Sequence, residues 1–171
     1  MIEKGATVKT AFQIGDRVVY PAHGVGLVTD ITEKMMDGSK VPYYVINIPS
    51  QEMNILLPAG NAGEMGLRPL SDRPAIEKAL SSLSERREMH ALDWKSRQNQ
   101  QQTLLRTGTI DNVALVVNIL YNRQKSRDLP VQERKIFENA LTHLVDETGF
   151  VLGLDEEETK RRIFSKLERI K

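Results

Sequence analysis

The residues of this chain that could carry chemistry fall into a few small groups. Gly24 and Gly26 lie in the stretch VVYPAHGVGLV, from Val18 to Val28. Glycine loops can cradle a phosphate with their N–H groups, but the dinucleotide pattern needs three glycines, a strand before and a helix after. Here a second β-prone run follows instead. The spacing therefore predicts that Pro21 and Gly24 turn the chain and that Gly26 lets a strand bend. The three histidines, His23, His90 and His143, are far apart, with no i, i+4 pair and no HExxH pattern. Each reads as a surface or turn residue rather than a metal ligand. The run Asp155-Glu156-Glu157-Glu158 could suggest a cation site, yet adjacent helical positions point in different directions. Acids in a first helical turn are expected on electrostatic grounds alone. The serines form no GxSxG elbow. These patterns predict no metal, no cofactor and no enzymatic activity.

The stretch from Arg86 to Arg106, RREMHALDWKSRQNQQQTLLR, is different. It holds the only tryptophan, Trp94, and no apolar residue stands between Trp94 and Leu104. A core tryptophan on a helix normally has apolar neighbours three or four positions away. On the C-terminal side Arg97 and Gln98 occupy those places. Arg86, Arg87, Lys95, Arg97 and Arg106 surround the ring with positive charge. Two readings stand side by side: a core aromatic, or a semi-exposed one that stacks on bases or wedges a base step. Residues 73–135 carry 12 Lys and Arg against 7 Asp and Glu. A basic face can thus coexist with a formal net charge of only +1.

These residues must be positioned by two kinds of element. From residue 12 to about 70 the pattern is strand-like. Asp16 to Tyr20 is one strand. Val25, Leu27, Thr29 and Ile31 then alternate with Gly26, Val28, Asp30 and Thr32, the period of a half-buried second strand. Asp37-Gly38 is a hairpin signal, because both residues accept positive φ. Pro42 to Ile48 and Glu52 to Leu57 follow as strands, and Leu67 to Leu70 as a short fifth. Short strands with tight turns suggest an SH3- or Tudor-like barrel. Ser71-Asp72-Arg73-Pro74 then starts a helical regime, since proline is tolerated in a first turn. Ile76, Ala79, Leu80 and Leu83 recur at helical spacing. Ile110, Val113, Val116, Val117 and Leu120 mark a strongly apolar helix. Ile136, Phe137, Ala140, Leu141, Leu144 and Val145 mark an amphipathic one. Asp155 and Glu158 form an N-cap pair for a last helix. The expected fold is α+β with two domains: a five-stranded SH3/Tudor-like β-barrel over 1–70, then a five-helix bundle over 71–171.

Composition bounds the rest. A chain of 171 residues with 40% hydrophobic content supports one medium domain or two small ones. No apolar run approaches the ~20 residues of a spanning helix, and the first residues lack the apolar core of a secretory signal. Without cysteine there is no disulfide frame, no thiol nucleophile and no zinc finger. A reducing cytoplasm fits.

The combination of motifs resembles a known family. FQIGDRVVYPAHGVGLVTDI is similar to the opening of the bacterial CarD/CdnL-type transcription regulators, whose barrel is shared with the transcription-repair coupling factor. The likeness continues through the Asp37-Gly38 hairpin, YYVINI, ILLP and MGLRPL. It extends to Trp94-x-x-Arg97, GTIDNVALVVNILYNRQ and LPVQERKIFENA, and covers roughly residues 12–168. The helical half and the lack of helicase motifs distinguish the chain from the repair helicase.

The resemblance implies a function. Such a barrel docks on the β subunit of RNA polymerase, strand edge to strand edge. The helical half reaches promoter DNA without strong sequence specificity, and a tryptophan wedges at the upstream edge of the melted bubble to stabilise the open complex. On this likeness Trp94 is the wedge, Arg97 its basic companion, and Lys95, Arg86, Arg87, Arg134 and Lys135 further DNA-contacting cations. Lys34, Leu56 and Pro58 fall at the polymerase face. The sequence departs from the pattern at Asn99, often basic in the family, at Pro130, where a serine cap is usual, and at Leu56, charged in some members. The extra DNA-binding tail of the founding member is not expected after Lys171. The implied setting is cytoplasmic and nucleoid-associated, with no membrane and no small-molecule substrate. The rival reading is an RNA- or ribosome-associated SH3-like binding module.

Overall fold

The computed structural model describes residues 10–21, 23–88 and 93–170. Five strands come first: β1 (Arg17–Tyr20), β2 (Gly24–Met36), β3 (Ser39–Ile48), β4 (Met53–Pro58) and β5 (Arg68–Pro69). Five helices follow: α1 (Arg73–Ser82), α2 (Trp94–Thr107), α3 (Ile110–Ser126), α4 (Val131–Leu152) and α5 (Glu156–Leu167). The strands form one antiparallel sheet in the order β4-β3-β2-β1-β5. Its edges, β4 and β5, do not pair with each other, so the expected closed barrel is an open sheet. β5 spans two residues, and one of them, Pro69, has no N–H to donate.

Local chemistry explains most of the boundaries. Asp37 and Gly38 both adopt positive φ, 48° and 81°, and join Met36 to Ser39 as a two-residue hairpin. Asp72 caps α1 by accepting from the Ala75 N–H, and Asp155 caps α5 by accepting from the Glu158 N–H. Pro130 starts α4 with no side-chain cap. The simple alternation expected along β2 is interrupted. A bulge between Val28 and Asp30 shifts the register, so Val28 is fully buried while Thr29 is exposed. Gly26 is required by packing: a Cβ there would lie 2.5 Å from Ile46 Cγ2.

There are two apolar cores. One lies under the sheet and includes Val18, Val28, Tyr44, Ile46, Ile48 and Leu57. The other holds the helices together through residues such as Leu80, Val117, Leu120, Phe137, Leu144 and Ile163.

The two halves meet through a polar clamp and two close contacts. Arg68 of β5 donates from Nη1 and Nη2 to the two carboxylate oxygens of Glu147 on α4, at 2.7 and 2.8 Å. Its Nε donates to the Gly108 carbonyl in the α2–α3 turn at 2.9 Å. The Ser71 N–H and hydroxyl both donate to Glu147 Oε1 at 2.8 Å. Beside the clamp, Pro21 is wedged against two glycines: a Cβ would stand 2.9 Å from its Cγ at Gly66 and 2.5 Å at Gly108. His143 of α4 is buried, contrary to its reading as a surface or turn residue, because it is in phase with Ala140 and Glu147 on the inner face. Gly24, at φ +109°, covers its ring, with a Cβ position 3.3 Å from Cδ2. His23 does sit in a turn, and His90 lies outside the described residues.

Burial and charge tune these groups. Burial above all, with the nearby His23 charge, lowers the His143 pKa to about 4 against the opposing pull of Glu147. For Glu147, burial favours the neutral acid, but the Arg68 hydrogen bonds and charge, with those of Ser71, outweigh it. Its carboxyl is held below the ordinary value. Both shifts are downward, so unfolded chains bind more protons in acid. The His143 contribution is complete above its ordinary 6.5 and is lost as pH falls toward about 4. The Glu147 contribution is lost at still lower pH. The His143 step is worth at most roughly 3 kcal/mol. We expect the melting temperature to begin falling below about pH 6.5 and the upper part of that slope to flatten in His143→Gln. Glu147→Gln should cost about 3–5 kcal/mol at pH 7, since it leaves Arg68 unpaired. Thermal melts of the three proteins across pH 4–7.5 check both.

Candidate nucleic-acid interface

Asp93 decides where Trp94 stands. Its carboxylate accepts the Ser96 N–H at 2.7 Å, which caps α2 and makes Trp94 the first helical residue. That hydrogen bond also holds the Asp93 carboxyl below its ordinary pKa. At the first position a side chain projects from the helix end rather than onto a packed face. Trp94 is 55% exposed and belongs to neither core, so of the two sequence readings the exposed aromatic is the one observed. Lys95 Nζ lies 5.6 Å from the ring centroid, within cation–π range. Pro130, Gln132 and Glu133 from the start of α4 line a recess of about 330 Å³ with Trp94 and Gln98.

Arg97 is not a free cation. Glu133, buried on α4, meets Arg97 Nε at 3.3 Å and Arg123 Nε at 3.3 Å. The Arg123 contact is an ion pair without hydrogen-bond alignment. Gln101, also fully buried, donates to the same carboxylate at 3.4 Å. One acid from α4 thus ties α2 to α3, and Arg97 helps to hold the helix that presents Trp94. Arg86 and Arg87 are exposed beside Arg97, each ion-paired locally, with Glu88 and Glu85. Arg134 and Lys135 are exposed on the first turns of α4, where Arg134 donates to the Leu129 carbonyl at 3.4 Å. The structure therefore groups Arg86, Arg87 and Arg97 on one side of α2, and brings the start of α4 up to Trp94.

A second surface lies on the sheet. The β4–β3 register sets Leu56 opposite Val45 and Pro58 opposite Tyr43, and the β3–β2 register sets Val41 opposite Lys34. Side chains alternate along strands, so Lys34, Tyr43, Leu56 and Pro58 share the face turned away from buried Tyr44 and Leu57. Lys34 Nζ stands 5.7 Å from the Tyr43 ring. Leu56 is 47% exposed, and β4 carries an unpaired edge.

Among the described residues no group of three or more His, Cys, Asp or Glu could hold a metal ion. No described helix is long and apolar enough to cross a membrane.

Comparison with known proteins covers both halves of the chain. Residues 12–71 match the family described as CarD-like/TRCF RID domain, and residues 78–164 match CarD, C-terminal domain. A Bacillus subtilis (strain 168) protein named "Putative transcription factor YdeB" is 32% identical over 149 residues. The alignment covers 87% of this chain and 97% of that relative. These matches point to a transcription factor, a class of protein that is not enzymatic. The chain belongs to the CarD/CdnL-type family of bacterial regulators.

Sequence reasoning missed Glu133, Gln101, Arg123 and the Arg68–Glu147 clamp. A signal existed for the two acids: Glu133 is in phase with Ile136, Phe137 and Ala140, and Glu147 with Ala140 and Leu144. An acid on an apolar stripe is buried and must be paired. Trp94→Ala should leave thermal stability within about 1 kcal/mol, against about 3–5 kcal/mol for a buried tryptophan. Glu133→Gln should lower it by several kcal/mol (order of magnitude), because two half-buried guanidiniums lose their counter-charge. Melting curves of the two variants should therefore separate, with Glu133→Gln the less stable.

Proposed function

We propose that this protein regulates transcription initiation by docking on the RNA polymerase β subunit and stabilising the promoter open complex. Residues 1–70 form the docking unit and residues 71–171 the DNA-contacting unit. The observation that carries the reading is the exposed Trp94 at the capped start of α2, in a chain of this family. A flat aromatic there can stack at the junction of duplex and melted strands. It favours the open state only through its greater affinity for the distorted fork.

Supporting roles follow from placement. Lys95, Arg134 and Lys135 are exposed and suit phosphate contacts near the ring. Arg86 and Arg87 suit weaker ones, since their local acids compete. Arg97 acts mainly by anchoring α2. On the sheet, Leu56 and Pro58 lie on β4, whose unpaired edge can accept a strand from the polymerase through main-chain hydrogen bonds, and Lys34 lies on the same face two strands in. Phosphate neutralisation without base-reading side chains implies salt-sensitive DNA binding of low sequence preference. The protein would act in the cytoplasm, on the nucleoid.

Trp94→Ala should leave docking intact and shorten the open-complex lifetime. Stacking is worth about 1–3 kcal/mol, so the loss is roughly fivefold to more than a hundredfold if the whole term acts on the open state. Leu56→Glu should instead weaken capture of the β subunit. Open-complex decay after competitor challenge, with a β-subunit pull-down, reads both. Unchanged decay for a folded Trp94→Ala protein would sink the wedge role.

A further inference from the structure

The β2–β3 hairpin outruns the rest of the sheet. Pro58, the last residue of β4, pairs with Tyr43, and β1 pairs with β2 only as far as Leu27. Residues 34–41 therefore form a two-stranded ribbon with no third strand beside it. Residues 33–40 are all exposed. Near the tip stand two adjacent methionines, Met35 and Met36, 64% and 50% exposed. Met53 and Met65 are exposed as well, and none of the four belongs to either core. Methionine is ordinarily among the more buried residue types. The sequence has no cysteine, so thioethers are its only sulfur groups.

The two neighbours point opposite ways. Side chains alternate along a strand, and the β2–β3 register runs without a further shift from Asp30 opposite Val45 to Met36 opposite Ser39. Met36 therefore shares the face of Lys34, Tyr43 and Leu56, two residues along from Lys34. Met35 lies on the other face, opposite Lys40 in register. On a binding surface a methionine is an adaptable apolar contact. The same exposure leaves its sulfur open to oxidants.

We propose that Met36 is a reversible oxidation site, and that its conversion to the sulfoxide by a peroxide weakens docking of the sheet on the polymerase β subunit. The proposal rests on the docking reading given above. The thioether sulfur attacks one peroxide oxygen through a lone pair. An S–O bond forms and the O–O bond breaks. Sulfur is oxidised by two electrons and the peroxide is reduced. The proton of the transferred hydroxyl goes to the departing hydroxide, which leaves as water. The product is a polar sulfoxide in place of an apolar side chain. Its oxygen must keep its water or find a donor when a partner covers it, and burial without one is costly. Thiol-dependent sulfoxide reduction reverses the change: the oxygen leaves as water while two thiols become a disulfide. Met35 takes up oxygen by the same chemistry but faces away from Lys34 and Leu56. The fold is unaffected, because neither residue packs in a core.

The test treats the full chain, Met35→Leu, Met36→Leu and Met36→Gln with hydrogen peroxide. Peptide mass mapping locates the added oxygen, thermal melts check the fold, and biolayer interferometry measures affinity for the isolated β subunit. Met35 and Met36 should both gain oxygen with the melting temperature unchanged. The oxidised parent and oxidised Met35→Leu should bind about tenfold more weakly than before treatment. Met36→Leu should keep its affinity through the treatment. Met36→Gln should bind weakly without any oxidant, and methionine sulfoxide reductase with a thiol should restore the parent. The proposal is overturned if Met36 stays unoxidised where Met35 reacts, if the oxidised parent binds as before, or if Met36→Leu loses affinity on oxidation as the parent does. An untreated parent that does not bind the β subunit at all would refute the docking reading, and this proposal with it.

Discussion

The arrangement of the molecule depends on the ion pair of Arg68 with Glu147. The sheet and the helices have separate apolar cores, and neither core alone dictates how the two halves meet. A two-residue strand carries Arg68 to the junction, where its guanidinium reaches a helix, a helix–helix turn and a buried carboxylate at once. A bidentate guanidinium–carboxylate contact specifies distance and orientation together, which apolar contact alone does not. Pro21, seated against Gly66 and Gly108, and Gly24, seated against His143, admit no larger side chains without rearrangement. The junction is thus both polar and sterically tight. Docking by the sheet would then carry the helical half to a defined place relative to the polymerase.

Charge in this protein is divided between structure and surface. The net formal charge is +1, yet two acids, Glu133 and Glu147, are almost wholly buried. Each engages arginine: Glu147 holds Arg68, and Glu133 holds Arg97 and Arg123. Burying a carboxylate is tolerable only with such partners. The arginines so engaged are taken from the free basic surface. Lys95, Lys125, Lys135 and Arg134 are exposed and remain outside these buried pairs. The same Glu133 network that removes Arg97 from solvent steadies α2, whose first residue is the exposed tryptophan. The loss of one cation and the presentation of the ring are two results of one contact.

Much of the fold was legible because its signals are local. The Asp37-Gly38 hairpin, the Asp72 and Asp155 caps, and the helical stripes of α1, α3 and α4 depend on residues within about four positions of each other. The open exposure of Trp94 was legible as one of two readings, since no apolar residue follows it for most of the helix. Of the residues singled out in the sequence, Trp94, Lys95, Lys34 and Leu56 are exposed, whereas Arg97 is drawn into the Glu133 contact. The closed barrel was not legible as absent, because closure depends on whether β5 is long enough to reach β4. The Thr29 bulge was hidden for a similar reason: a strand's register is set by its partner, and β3 is a different segment.

The sequence by itself determined the class of fold, the order of its elements, the turn chemistry and the family. These follow from short-range stereochemistry and from residue types that a pattern preserves. Only the tertiary structure decided which charges are spent and which are free. Arg68 meets Glu147 across 79 positions of chain, and Arg97 meets Glu133 across 36. No local pattern distinguishes an arginine that will be paired in the interior from one that will face solvent. His143 shows the same limit, since its burial depends on Gly24 arriving from the other half. Burial is a property of what packs on top, and that neighbour is brought by the whole chain.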